Sequence, residues 1–364
     1  MKSHGGMFPA IYDFENLYRA HLKARLGKRT RPSVMQFDRN LEANLIQLQN
    51  ELVWGEYKTG PYHRFHVLEP KRREIASVPY RDRVVQHSLI AQLEPIWEPL
   101  FIDHSYACRT GRGMHKGADA AQHMLRCVSR QYARLYVLKA DISKYFASVN
   151  HAVLKAILRK KIRCNQTYDL CAGIIDAGSH PDAITATGMP IGNLTSQLWA
   201  NIYLHELDKY VKHEVKARHY VRYMDDFVIV HTDKDWLHEA RRKIETYLLN
   251  ALGLKTNSKT QVFPVSKSNG RGLDFLGFHL WPTHRRLRKD SIKRIHRSLK
   301  TLQRQYAAGE ISLELVGQTI NSWVAHAAHA DTYGLRKNVL GSAVFCKGSA
   351  QSEAIEVISA QPAS

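Results

Sequence analysis

Acidic residues are scarce in this chain of 364 residues: 33 Asp and Glu stand against 53 Lys and Arg, a formal net charge of +20. The sequence pI is near 9.7. An excess of that size points to a polyanionic partner, because Lys and Arg that neutralise phosphates release counterions and drive sequence-independent binding. Cysteine is also sparse. The five residues Cys108, Cys127, Cys164, Cys171 and Cys346 show neither C-x-x-C spacing nor regular pairing, so neither a zinc site nor a disulfide framework is indicated, and a reducing cytoplasm fits. No apolar run approaches the roughly 18 residues that would span a bilayer, and the start MKSHGGMFPAIYDFENLYRAHL lacks the apolar stretch of a signal peptide. The expectation is a cytoplasmic protein without a membrane partner. Internal repeats and long low-complexity segments are missing as well. With 44% hydrophobic residues, the length suffices for two or three packed subdomains and a substantial core.

What is present centres on HYVRYMDDFVIVH, His219 to His231. Tyr220, Val221 and Tyr223 precede the adjacent acids Asp225 and Asp226, and Phe227, Val228, Ile229 and Val230 follow. β-Branched and aromatic residues on both sides of a polar step predict two short strands meeting at a tight hairpin. An isolated Asp-Asp pair is ordinarily a solvated turn. Between tight apolar flanks two such charges repel, and a divalent cation is the simplest remedy.

A partner carboxylate lies 84 residues earlier, at Asp141, just beyond the apolar run Leu135 to Leu138. Phe146, five residues on, is expected to project towards whatever Asp141 binds. Two strands so separated can lie side by side in one sheet with helices between them.

Basic stretches surround this centre. Ile11 to Leu52 reads as helical and contains HLKARLGKRTRP. Trp54 to Pro70 reads as strand, turn and strand about Gly60 and Pro61. The segment EPKRREIASVPYRDR carries Lys71, Arg72, Arg73, Arg81 and Arg83 into a helix from about Asp82. A loop with Arg109, Gly111, Arg112 and Gly113 precedes a helix that begins near Gly117. In TGMPIGNLTSQLWANIYL a turn at Pro190 and Gly192, with Asn193 or Thr195 as cap, opens a helix with Leu194, Leu198 and Ile202 on one stripe. Trp236 to Leu252 reads as an amphipathic helix. GLKTNSKTQVFPV is expected as a strand bearing Lys255 and Lys259, and GLDFLGFHLWP as a short hairpin. Between Arg285 and Arg304 nine Lys and Arg face one acid, Asp290. Helix with that bias suits a polyanion. Ser312 to Leu340 reads as further helix, and the end of the chain as a flexible tail.

Three acids on two adjacent strands, approached by cations from both chain ends, suit phosphoryl transfer assisted by two metal ions. Magnesium is the natural ion, since it takes carboxylate oxygens and keeps room for substrate phosphates.

The residues also carry a resemblance. Tyr223-Met224-Asp225-Asp226 is similar to the Y-x-D-D of reverse transcriptases, and Asp141 with Phe146 resembles their D-x4-F/Y motif. HSYACRTGRGMHKG, GMPIGNLTSQLWANIYL, Lys259-Thr260 and LDFLGF resemble further blocks of these enzymes in the same order, from about Glu69 to Lys300. Within that superfamily, Ile191-Gly192-Asn193-Leu194-Thr195-Ser196-Gln197 resembles the I-G-x-x-x-S-Q of diversity-generating retroelement enzymes, where intron and retron enzymes show Q-G-x-x-x-S-P.

The resemblance implies an α+β right-hand polymerase: N-terminal helices and fingers over 1–130, an antiparallel palm over 131–282 with fingers and palm interleaved, a basic helical thumb over 283–340, and a flexible tail over 341–364. It implies RNA-directed DNA synthesis from a template-repeat RNA with misincorporation opposite adenines, using primer, deoxynucleoside triphosphates, two Mg2+ ions and an accessory protein. By the same resemblance Asp141 and Asp225 hold both metals, the Ile142 carbonyl completes one shell, and Asp226 supports the site from beside it. Phe146 is the steric gate against a 2′ hydroxyl, Arg73 and Arg109 grip the triphosphate, and Lys259 protonates the pyrophosphate. Ile191, Gly192 and Gln197 lie against the nascent base pair. Two other readings are an enzyme of intron or phage-defence type and an RNA-binding scaffold with a vestigial palm.

Overall fold

In the computed structural model, which describes residues 3–68, 72–132, 134–179, 186–266 and 271–347, helix and antiparallel sheet are mixed, the α+β class expected. The chain runs through α1 (Phe8–Tyr12), α2 (Phe14–Ala24), α3 (Pro32–Arg39), α4 (Leu41–Val53), β1 (His63–Val67), β2 (Arg73–Ser77) and α5 (Tyr80–Trp97). It continues with α6 (Met114–Gln131), β3 (Tyr136–Asp141), α7 (Tyr145–Ser148), α8 (His151–Arg159), α9 (Asn165–Ala177) and α10 (Leu194–His213). The hairpin strands β4 (His219–Tyr223) and β5 (Asp226–His231) lead to α11 (Lys234–Leu252) and β6 (Gln261–Pro264). Last come β7 (Leu273–Phe275), β8 (Phe278–Leu280), β9 (Arg285–Leu287), α12 (Lys289–Ala307), α13 (Leu313–Ala327) and α14 (Tyr333–Gly341). Of the tail expected over 341–364, Gly341 ends α14 and residues 348–364 lie outside the described residues. Among the described residues no helix is long and apolar enough to cross a membrane.

Two compact units form: Met1–Gly113 with Leu138–Val262, and Met114–Val137 with Phe263–Ser364. In the first, α2 and α10 pack on α5, whose Val84, Val85, Leu89 and Leu93 are fully buried. Each such side chain contributes on the order of 1.5 to 3 kcal/mol. The ends of the helices follow local chemistry. Asp13 accepts from the Asn16 amide at 2.9 Å to start α2, and Asp233 accepts from the amides of Asp235 and Trp236 at 2.8 and 3.1 Å to start α11. Gly253, at φ +64°, stops α11.

One strand prediction needs correction. Residues 54–62 are irregular, and β1 pairs instead with β2, with Phe65 opposite Ile75 and Val67 opposite Arg73. The cause lies in buried Asp82 of α5, which accepts from the Tyr57 hydroxyl at 2.8 Å and the Gly60 amide at 3.1 Å and so holds that segment as a loop.

The four-stranded sheet has the order β4-β5-β3-β6, with β4 and β5 antiparallel and Tyr223 opposite Asp226. Phe227, Val228, Ile229 and Val230 are all buried, so β5 is covered on both faces, which explains why its residues run apolar without alternation. Only two residues, Met224 and Asp225, connect β4 to β5. Lys255 and Lys259 precede β6 instead of lying on it, because the strand begins only at Gln261.

In the second unit β7, β8 and β9 form an antiparallel sheet. Arg285 and Arg286, expected at the start of a basic helix, lie on β9, and Arg285 donates to Gln122 Oε1 at 2.8 Å and to Asp119 Oδ1 at 2.5 Å. The basic helix is α12. Its Ile295, Leu299 and Leu302 are buried, while Lys293, Arg294, Arg297, Lys300 and Arg304 are exposed on its other faces.

Candidate active site

The first unit brings the two ends of the acidic pattern together. Asp141 closes β3, and the amide of the next residue, Ile142, donates to the Asp225 carbonyl at 3.2 Å across the sheet. Burial, and next the neighbouring Asp141 carboxylate, push the Asp225 carboxyl up to about 6, with the Arg73 charge acting in the opposite direction. Two carboxyl groups that disfavour each other's charge at a half-buried strand end suit a hard divalent cation, which relieves both effects. Asp226 is placed differently: its Oδ2 lies 3.8 Å from Lys139 Nζ. Among the described residues no three His, Cys, Asp or Glu side chains converge on one metal position.

The turn that carries Asp225 is strained. Met224 has φ +55°, left-handed for a residue with a side chain, which costs about 1 to 2 kcal/mol relative to the ordinary region. A left-handed first residue in a two-residue hairpin loop matches the right-handed twist of the flanking strands.

Asn257 is a site residue that sequence reasoning missed. Its Nδ2 donates to Asp141 Oδ2, its backbone amide donates to the Asp141 carbonyl at 2.8 Å, and its Oδ1 accepts from the Lys259 amide at 2.8 Å. Its only sequence signal was an Asn in the turn TNSK, two residues before Lys259. Lys259 itself is exposed. Arg222 and Asp208 were also missed, and both are fully buried as an ion pair.

Phe146 is half-buried on the short helix α7, which begins after left-handed Lys144 (φ +46°). Its ring meets Tyr145 edge-on at 5.5 Å, and the Tyr145 hydroxyl donates to the Ala200 carbonyl at 2.7 Å, so Phe146 rests on an anchored neighbour.

The turn before α10 docks on β2. The Ala76 amide donates to the Ile191 carbonyl at 3.0 Å, and a Cβ added at Gly192 (φ +118°) would lie 3.0 Å from Ile75 Cγ2. Only glycine fits that approach and that backbone angle. Asn193 sits at the N-cap of α10 but makes no capping bond through its side chain, which donates to the Tyr62 hydroxyl at 3.1 Å. Gln197, on the first turn of α10, is exposed, and so is Arg73 at the start of β2.

Arg109 is not placed to grip a triphosphate. Its Nε donates to Glu98 Oε1 at 2.9 Å, its Nη1 to the carbonyls of Ile102 and Ser105 at 2.8 Å each, and its Nη2 lies 2.8 Å from Glu98 Oε1. With 4% of the side chain exposed, the guanidinium braces the loop after α5. A cavity of about 500 Å³ opens elsewhere, beside Trp54, Tyr57 and Leu170, and includes none of these residues.

The family described as reverse transcriptase (RNA-dependent DNA polymerase) matches residues 66–280. Protein YkfC of Escherichia coli (strain K12) is 30% identical over 291 residues, which cover 69% of this chain and 73% of that one. The group II intron-encoded protein LtrA of Lactococcus lactis subsp. cremoris is 30% identical over 178 residues, 47% of this chain and 28% of LtrA, so the match spans well under a third of that relative. Among solved structures, apo telomerase from Candida Tropicalis, truncated from its C-terminal domain, aligns over 68% of this chain and 60% of that one at 14% identity, with a TM-score of 0.46. Match and motifs fall on the same residues, from the β1–β2 hairpin through Asp141 and the Asp225 turn to β8, and the chain belongs to the reverse transcriptase family of RNA-directed DNA polymerases.

Proposed function

We propose that this polymerase copies a template-repeat RNA into error-prone cDNA, with substitutions concentrated opposite adenines, for mutagenic retrohoming in a diversity-generating retroelement. The observation that carries the reading is the turn before α10, where Ile191 and a Gly192 pressed against β2 lead into the helix whose first turn carries Gln197. In this reading the Ile191 and Gln197 pair, standing where intron enzymes have Gln and Pro, loosens the fit around the templating base.

Asp141 and Asp225, with the Ile142 carbonyl, would hold two divalent cations, Mg2+ by the hardness of the donors, and Asp226 would support them from the Lys139 side. When bound, the ions lower the cost of the developing charge on the attacking 3′ oxygen and the leaving pyrophosphate. The protein's own groups orient and select. Arg73 would meet the triphosphate, Phe146 would close the space a 2′ hydroxyl needs, and Lys259, exposed beside the site, would give a proton to pyrophosphate. The exposed cations of α12 would follow the template and primer backbone as a thumb, and the β4-β5-β3-β6 sheet would form the palm. An accessory protein of the element and a cytoplasmic setting complete the proposal.

The test is primer extension by the purified protein on RNA with Mg2+ and deoxynucleotides, followed by sequencing of the cDNA. Wild type should misincorporate mainly opposite adenine, and Ile191→Gln should lower that rate several-fold. An unchanged spectrum in the variant removes Ile191 from the account, and a uniformly accurate wild type removes the mutagenic role. A second reading, an enzyme of intron type, is favoured by the likeness to LtrA. It predicts uniform accuracy and no repeat pair in the neighbouring DNA.

A further inference from the structure

Arg222 is fully buried, and its guanidinium is spoken for on every side. Nε and Nη2 donate to the two oxygens of Asp208 at 2.7 and 2.6 Å, and Nη1 donates to the Met224 carbonyl at 3.1 Å and to Asn201 Oδ1 at 3.4 Å. The Tyr220 hydroxyl donates to the same Asp208 at 2.7 Å. Burial opposes the charge of Arg222, and the Asp208 carboxylate outweighs it, so Arg222 stays charged. The Arg222 backbone is pinned too: its amide donates to the His104 carbonyl at 2.9 Å, and its carbonyl accepts from the Tyr106 amide at 3.0 Å.

A buried ion pair is a poor source of stability, since well-packed apolar residues in its place are often neutral or better. What this pair does hold is the strained turn. The Met224 carbonyl belongs to the peptide that joins Met224 to Asp225, so the Arg222 donor, held by Asp208 of α10, sets the orientation of that peptide and, through it, the direction in which Asp225 leaves the hairpin. The Ile142 bond to the Asp225 carbonyl secures the other side of the same residue.

We infer that Arg222, clamped by Asp208, is a positioning residue that aims the Asp225 carboxylate at Asp141, and that it acts on metal affinity and turnover through the Met224 carbonyl. The inference rests on Asp225 being the reacting-site carboxylate. Lysine at 222 would keep the charge against Asp208 but, lacking the planar fork, would not reach the Met224 carbonyl at the same time.

The experiment compares wild type, Arg222→Lys and the charge-free double variant R222M/D208L in three measurements. These are Mn2+ binding to the substrate-free protein by electron paramagnetic resonance, kcat and KM for a deoxynucleotide, and the urea unfolding midpoint. The double variant should fold with a midpoint lowered by the buried groups it leaves without a partner, the Tyr220 hydroxyl and the Met224 carbonyl among them. It should bind Mn2+ at least five-fold more weakly and lose at least ten-fold in kcat, with KM within two-fold. Should it fail to fold, Arg222→Lys gives the same reading with the ion pair kept. Wild-type Mn2+ affinity and kcat in whichever folded variant is read overturn the inference. Asp225→Asn separates the two levels: if it still polymerises, the assignment of Asp225 fails, and if it is inactive while the Arg222 variants match wild type, only the positioning role fails.

Discussion

Asn257 Nδ2 donates to Asp141 Oδ2 while the Asn257 backbone amide donates to the Asp141 carbonyl, so one residue 116 positions away holds both the side chain and the main chain of the β3 carboxylate. A single side-chain amide thereby fixes which oxygen of Asp141 remains for a cation. Asn257→Ala should leave the fold intact, weaken Mn2+ binding several-fold and reduce kcat by about ten-fold, the scale of one lost hydrogen bond to a charged group. Asn257→Asp, which adds a third acid where a donor is needed, should be worse than alanine. Titrating Mn2+ against both variants checks the order.

Phe146 stands on the anchored Tyr145, so truncation should open space without moving the backbone. Phe146→Ala is expected to raise the kcat/KM for ribonucleotides relative to deoxynucleotides by at least ten-fold, with little change in stability. Parallel extensions with each nucleotide class measure the ratio, and an unaltered ratio would end the gate assignment.

His205 of α10 is buried against Phe101, ring centroids 5.6 Å apart, and burial lowers it to about 4. An imidazole at its ordinary value near 6.5 in the unfolded chain binds protons that the folded state refuses, so its contribution to stability is complete above pH 6.5. That contribution drains away as pH falls towards 4, by at most roughly 3 kcal/mol. Asp225, raised to about 6, works in the opposite direction over an overlapping range. The comparison must therefore be differential: the unfolding free energy of wild type minus that of His205→Gln should fall between pH 6.5 and 4 and stay flat above 7. Urea unfolding across that range checks the slope.

At Gly192 both the backbone angle and Ile75 exclude a side chain. Gly192→Ala should cost about 1 to 3 kcal/mol and raise the KM for deoxynucleotides, since the turn would move away from β2. Trimming the neighbour with Ile75→Val should relieve only part of the loss, because the angle of φ +118° remains.

Much of this was legible in local pattern. The hairpin at Asp225 and Asp226 followed from apolar residues on both sides of two acids, because strand propensity and turn formation depend on neighbours a few positions apart. The strand leading to Asp141 and the glycine turn before α10 were readable for the same reason. Arg109 misled because a free cation and one committed to Glu98 look alike in a sequence. The loop at 54–62 misled because Asp82, which captures it, lies on a different element.

Composition and short-range pattern therefore determined, without coordinates, that this is a basic chain with helix and antiparallel sheet and acids at the ends of two strands. Only the tertiary structure decided which acids meet and what holds them: Asp141 beside Asp225, Asn257 on Asp141, and Arg222 with Asp208 under the turn. The physical reason is that propensity acts between chain neighbours. A buried polar group must instead find its partner wherever the packed elements bring one within about 3 Å.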